Sequence, residues 1–131
     1  MNIVLITHEM DPFVGRGTVA QVTGALPKAL RSLDHEVSVI LPLFEGIDPT
    51  KHSLARRLSK LTFEVGGTEY ACEQWNGRTV SGVEVIFIGH EELFHSVPGL
   101  DAGSDAEVAL RAGVFARAVA ALLDKNEPDW E

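Results

Sequence analysis

The chain has one cysteine, Cys72, among 131 residues. A lone thiol excludes an internal disulfide framework and a cysteine-based zinc cluster. Long apolar runs are missing too. Stretches such as Ile3–Ile6 and Val37–Leu41 fall far short of the about 20 residues a membrane span needs. Basic charge is scarce: 11 Lys and Arg stand against 19 Asp and Glu, a net charge of −8. That excludes a general binder of nucleic acid or of anionic membranes, since both need a basic face. The opening Met-Asn-Ile-Val-Leu-Ile lacks a basic n-region, which excludes an ordinary secretory signal peptide. What is present is a hydrophobic content of 45% with 23% charged residues, ordinary for a globular protein. The length fits one domain over residues 1–131, acidic and expected in the cytoplasm.

Asn2–Thr7 is a nearly continuous β-branched run, which predicts a strand buried on both faces of a parallel sheet. Asp11, Pro12, Gly15 and Gly17 punctuate a loop after it. Thr18–Leu33 carries Val19, Val22, Leu26, Leu30 and Leu33 at helical spacing, one apolar stripe that predicts a helix, with Pro27 expected to kink or split it. Asp34 suits a left-handed C-terminal stop. Glu36–Leu41, closed by Pro42, predicts a second strand and completes a βαβ unit.

Gly46–Ser59 is expected to be a loop with a short helix. Leu61–Val65, Thr68–Trp75 and Val83–Ile88 read as strands, with hairpin turns expected at Gly66-Gly67 and Asn76-Gly77. Glu91–Phe94 reads as a helical turn. A last helix, capped by Ser104 or Asp105, is expected to run to about Asp124 on a stripe of Val108, Ala112, Phe115, Val119 and Leu122, with Ala116 and Leu123 beside it. The fold class is therefore α/β, a Rossmann-like three-layer domain with a largely parallel sheet and an antiparallel hairpin insertion.

In open α/β sheets ligands bind at the carboxyl ends of strands, against the next helix N-terminus. Gly15-Arg16-Gly17-Thr18 occupies that place. Its backbone N–H groups, the helix dipole and Arg16 favour an anion there, although G-x-G-T is neither a full G-x-G-x-x-G nor a Walker sequence. The competing reading is a glycine turn that lets the helix pack closely. His8 and Glu9 have the chemistry for acid–base work, but the favoured reading is that they hydrogen-bond the loop. His35, His52, His90 and His95 have no metal-ligand spacing, so no metal is expected. Cys72 alternates with Tyr70 and reads as core rather than nucleophile. Arg56, Arg57 and Lys60 read as a solvated face. His90-Glu91-Glu92 reads as the cap of the following turn. No G-x-S-x-G elbow and no Ser/His/Asp arrangement is visible.

The run from Met1 to Pro42 closely resembles the N-terminus of bacterial glycogen synthases and plant starch synthases, glycosyltransferase family 5. The tracts Gly24–Leu30 and His35-Glu36-Val37 match that family's G-A-L-P-K-A-L and H-E-V. Residues 82–88 resemble its G-V-x-V-Y-F-I strand. Glu92-Leu93-Phe94 followed by Pro98-Gly99-Leu100 resembles E-L-F-x-R-P-G-L, Asp105-Ala106-Glu107 resembles D-N-A-E, and Pro128-Asp129 resembles the P-D before H-A-H-D-W. The resemblance covers essentially the whole chain. It implies part of the N-terminal half of a GT-B glycosyltransferase, which transfers glucose from ADP- or UDP-glucose to an α-1,4-glucan without a metal or other cofactor. The implied ligands are an α-glucan or a nucleotide sugar.

By the same resemblance the substrate-facing residues are Glu9, Gly15, Arg16, Gly17 and Thr18, and none is assigned as catalytic. The family's K-T-G-G-L falls on Gly15, Arg16, Gly17, Thr18 and Val19, and its aspartate on Gln21. A glycine at the lysine's place cannot neutralise donor phosphate. Packing patches are kept while the phosphate-facing patch is altered, and the chain is expected to lack a donor-binding domain. Two readings follow. One is a synthase-like transferase domain, inactive as this chain alone. The other is a non-catalytic glucan-binding or protein-interaction module, self-associating or meeting a partner through an open sheet edge or the last helix.

Overall fold

A computed structural model describes residues 1–126. The strands are β1 (Asn2–Ile6), β2 (Glu36–Pro42), β3 (Ala55–Arg56), β4 (Leu61–Val65), β5 (Thr68–Arg78) and β6 (Glu84–Gly89). The helices are α1 (Thr18–Ser32) and α2 (Asp105–Asn126). The sheet runs β1-β2-β6-β5-β3, and β4 pairs with β5. β1, β2 and β6 are parallel, while β3, β4 and β5 join antiparallel. The α/β class, the βαβ unit and the antiparallel hairpin are thus as the residue pattern implies.

Continuous apolar runs explain the core. Val39, Ile40 and Leu41 on β2, and Val85, Ile86, Phe87 and Ile88 on β6, are all buried, because central strands face packed layers on both sides. Each such side chain contributes about 1.5–3 kcal/mol on burial. Asp34 ends α1 with φ 68°, the left-handed stop its sequence position suggests. Ser104 caps α2. Its Oγ accepts from the Glu107 N–H at 3.2 Å while the Glu107 carboxylate accepts from the Ser104 N–H at 3.2 Å. This capping box holds the Glu107 carboxyl below its ordinary range, through the Ser104 backbone and hydroxyl donors first and Arg111 second.

Six expectations need correction. β1 is half-buried rather than buried on both faces, because it pairs only with β2 among the described residues. The α1 stripe points outward: Val19, Val22, Leu26 and Leu33 are exposed. The buried face is instead the small one, Ala20 and Pro27 with Gly24 between them. A Cβ on Gly24 would lie 2.9 Å from the Asp11 carbonyl oxygen, so small residues let the loop after β1 lie against the helix. The helix also runs unbroken through Pro27.

Asn76-Gly77 is not a turn but lies within β5, opposite Ile86 and Val85. Gly77 is small there because Leu54 occupies the place its Cβ would take. The turn comes later, where Thr79 N–H donates to the Val83 carbonyl at 2.9 Å. Residues 46–59 contain no helix. They form turns and the short β3. On α2 the buried face is shifted, with Arg111, Val114 and Ala118 inside beside Phe115, Val119 and Leu122, while Ala116 is exposed. Pro128-Asp129 lies outside the described residues.

Candidate functional site

The carboxyl ends of β1 and β6 point to the same edge, since both strands run parallel to β2. The loop after β1 is tightly built there. Met10 and Val14 exchange backbone hydrogen bonds at 2.9 Å in both directions. The Asp11 N–H donates to the Ala20 carbonyl of α1 at 3.0 Å. Phe13 meets Phe87 edge-on at 5.2 Å between ring centres, which anchors the loop to the core.

Glu9 is held by its main chain. The Thr7 hydroxyl donates to the Glu9 carbonyl at 2.8 Å and accepts from its N–H at 3.2 Å, and the Thr23 hydroxyl of α1 donates to the same carbonyl. These bonds fix the Glu9 backbone and do not involve its carboxylate. His8 is exposed.

The loop after β6 forms the facing wall. The His90 Nδ1 accepts from the Leu93 N–H at 3.2 Å, and the His90 carbonyl accepts from the Phe94 N–H at 2.9 Å, so His90 caps the turn as its position implies. Arg111 reaches out of α2 to clasp this loop. Its Nε donates to the Leu93 carbonyl at 2.9 Å, and its Nη1 donates to the carbonyls of Leu100 and Ala102, each at 2.7 Å. Arg111 is 4% exposed. One guanidinium therefore satisfies three loop carbonyls that have no ladder partner.

Between the walls lies a cleft of about 290 Å³, lined by His8, Glu9, Val14 and Gly15 on one side. Pro98, Gly99, Leu100, Asp101 and Val108 line the other. Its charged lining is acidic, from Glu9 and Asp101, with no Lys or Arg. Arg16, Gly17 and Thr18 are exposed and lie outside the lining. Gly17 is the N-cap of α1, with φ −85° and no side-chain cap bond. Of the five residues singled out from the sequence, the cleft brings together Glu9 and Gly15 and leaves the other three at the helix start. Among the described residues no group of three His, Cys, Asp or Glu is placed to hold a metal.

Sequence reasoning missed Asp101 and Arg111. Asp101 had a signal, since it follows the Pro98-Gly99-Leu100 patch directly. Arg111 had one too: a cation three residues after Val108 and four before Phe115 falls on the apolar face of α2.

Cys72 is buried against β4 and free, and burial first and the Glu73 charge second push its thiol to about 12. It is core, as expected.

These features define an open α/β domain of the Rossmann-like class with a cleft at the carboxyl edge of its parallel strands, the place where such sheets hold ligands. Residues 2–130 match the family described as starch synthase catalytic domain, and the chain belongs to that family. It is 39% identical over 97 residues to glycogen synthase 1 of Geobacter sulfurreducens, covering 72% of this chain and 19% of that protein. It is 36% identical over 127 residues to the glycogen synthase of Anaeromyxobacter sp. (strain Fw109-5), covering 93% of this chain and 25% of that protein. Among solved structures it resembles the catalytic domain of starch synthase IV from Arabidopsis thaliana bound to ADP and acarbose. That match has a TM-score of 0.80 and 26% identity, covering 95% of this chain and 25% of the other. The chain thus spans about a fifth to a quarter of the length of these relatives. Its fold is that of the N-terminal part of a GT-B glycosyltransferase. No helix among the described residues is long and apolar enough to cross a membrane.

Proposed function

We propose that residues 1–131 form one unit of a glycogen- or starch-synthase-like glucosyltransferase and serve its glucan side rather than the donor diphosphate. The observation that carries this is the charge of the cleft. Glu9 and Asp101 line it, and no lysine or arginine does. Carboxylates accept hydrogen bonds from sugar hydroxyls, but they repel a diphosphate. The starch synthase IV structure holds ADP and acarbose. Of these two chemistries, the saccharide suits this cleft. At the position where the family places its lysine, Gly15 offers no charge, and the Arg16 side chain is one residue away at the exposed helix start. The chain alone is therefore expected to transfer no glucose. A cytoplasmic location fits this role, where nucleotide sugars are made and used.

Calorimetric titration with a malto-oligosaccharide and, separately, with ADP-glucose tests the proposal. Saturable oligosaccharide binding that is lost in Glu9→Gln and Asp101→Asn supports it. Donor binding better than about 1 mM, roughly −4 kcal/mol, abolished by Arg16→Gln, refutes it in favour of a donor-binding turn.

The exposed apolar face of α1 and the edge of β1, which no further strand pairs among the described residues, favour a second reading, a non-catalytic interaction module that self-associates or binds a protein there. Silence with both ligands, together with a concentration-dependent sedimentation coefficient that Leu26→Glu abolishes, would select it.

A further inference from the structure

A second polar groove lies near the far end of α2. Lys125, which lines it, is about 25 Å along the helix from Val108 in the cleft, at 1.5 Å per residue. β3 is pinned to β5 at Arg56 and Trp75, and the Arg57 N–H donates to the Gln74 carbonyl at 2.8 Å. The chain then turns outward through Ser59. From 66 residues further on, Lys125 Nζ donates to the Ser59 hydroxyl at 3.1 Å. The groove encloses about 690 Å³ and is lined by Arg56, Arg57, Ser59, Gln74, Asn76 and Lys125.

Two of its three cations have no carboxylate partner among the described residues. Arg56 is paired with Glu73 at 3.2 Å and lies over the Trp75 ring. Arg57 instead donates its Nε to the Asn76 Oδ1 at 3.4 Å, and Lys125 meets only the neutral Ser59 hydroxyl. Among the described residues no Asp or Glu lines the groove.

The neutral groups are turned the same way. The Asn76 Oδ1 accepts from both Arg57 Nε and Gln74 Nε2, the latter at 3.0 Å. With its acceptor occupied twice, the Asn76 amide presents its NH₂ donors outward. The Ser59 oxygen accepts from Lys125, which leaves its O–H to donate. The terminal nitrogens of Arg57, the Lys125 ammonium, the Ser59 hydroxyl and the Asn76 amide are therefore donors around one space, in excess of the one side-chain amide acceptor left there, the Gln74 Oε1. A ligand that suits them carries acceptors only and negative charge. A phosphoryl group has three such oxygens, and the planar guanidinium matches it with two parallel hydrogen bonds.

We propose that this groove is an anion site, which binds the phosphoryl group of a small phosphate-bearing molecule independently of the cleft. Its volume leaves room for more than the phosphoryl group itself.

The probes are inorganic phosphate and pyrophosphate, titrated calorimetrically into the 131-residue chain at low and at physiological ionic strength, with backbone amide NMR shifts to locate the site. The expected result is saturable pyrophosphate binding with a Kd below about 1 mM and shifts centred on Arg57, Ser59 and Lys125. Arg57→Gln and Lys125→Gln should each weaken it at least about tenfold, one such contact being a strong charge-assisted pair. Arg57→Lys, which keeps the charge and loses the fork, should fall between. Both positions are exposed, so the circular dichroism and Tm of each variant should match the parent and certify the fold. Absence of saturable binding overturns the proposal. So does binding unchanged in Arg57→Gln, and so does binding lost on Arg16→Gln, which would move the anion to the turn at 15–18.

Discussion

Gly15 lies directly over Glu9. A Cβ built on Gly15 would come within 2.8 Å of the Glu9 carboxyl carbon and 3.0 Å of its Cβ. Gly15 also holds φ +88°, a region L side chains rarely adopt. A lysine at position 15, where the resemblance places the family's, is thus opposed by the local backbone and by Glu9. Gly15→Lys should destabilise the chain by about 1–2 kcal/mol from backbone strain alone, and it should displace Glu9 from the cleft. Thermal unfolding reads the first effect and oligosaccharide titration the second. A Gly15→Lys variant that is as stable as the parent and gains ADP-glucose binding would show that the turn is still built for a lysine.

Gly24 sets two effects of opposite sign against each other. Replacing a helical glycine by alanine gains about 1 kcal/mol in propensity. Here the new methyl would meet the Asp11 carbonyl oxygen at 2.9 Å, a backbone atom that cannot swing aside. Overpacking of that kind costs about 1–3 kcal/mol. Gly24→Ala should therefore be net destabilising, and Ala20→Gly/Gly24→Ala should not restore stability, since the clash is with Asp11. Urea unfolding with unchanged slope is the measurement.

The β1–α1–β2 unit and β6 were legible in the sequence because continuous β-branched runs and their bounding turns are local signals. The orientation of α1 was not. Its hydrophobic residues repeat with helical period, yet the helix presents Ala20, Gly24 and Pro27 inward because the loop at Asp11 must come close. Residue size, rather than hydrophobicity, carries that information. Asn76-Gly77 misled for a related reason: Gly77 is selected by the Leu54 side chain packed on it, a contact from another part of the chain. In the site, Glu9 and Gly15 were legible from position after β1. The facing wall was not, because Asp101 meets them only through the pairing of β2 with β6, and Arg111 through the packing of α2.

Cys72 gives a pH dependence of definite sign. Its thiol is raised from 9.0 to about 12, by burial first and Glu73 second. The unfolded chain releases this proton sooner, so the contribution is fully present below about pH 9. It declines as pH rises from there to about 12, where the folded thiol also ionises. Denaturation between these limits should show a steeper loss with pH in the parent than in Cys72→Ala, compared by slope because the alanine variant starts lower. At pH 8 the native thiol should resist a thiol-reactive disulfide reagent and react promptly once unfolded. Prompt reaction in the native state would place Cys72 outside the core.

Arg111 ties the stability of α2 to the shape of the cleft. Its guanidinium is almost wholly buried and bonds the carbonyls of Leu93, Leu100 and Ala102. Leu100 belongs to the cleft wall and Asp101 follows it. Arg111→Met removes the donor and leaves three carbonyls to find water, at a cost of about 2–5 kcal/mol. Arg111→Lys keeps the charge but cannot span three acceptors with a planar fork, so it should cost less and free part of the loop. The informative comparison is therefore Arg111→Lys at a temperature where it is fully folded. There the oligosaccharide affinity should fall several-fold while the ordered Glu9 side of the cleft keeps its amide NMR shifts. An affinity equal to the parent's would mean that Arg111 stabilises α2 without positioning Asp101.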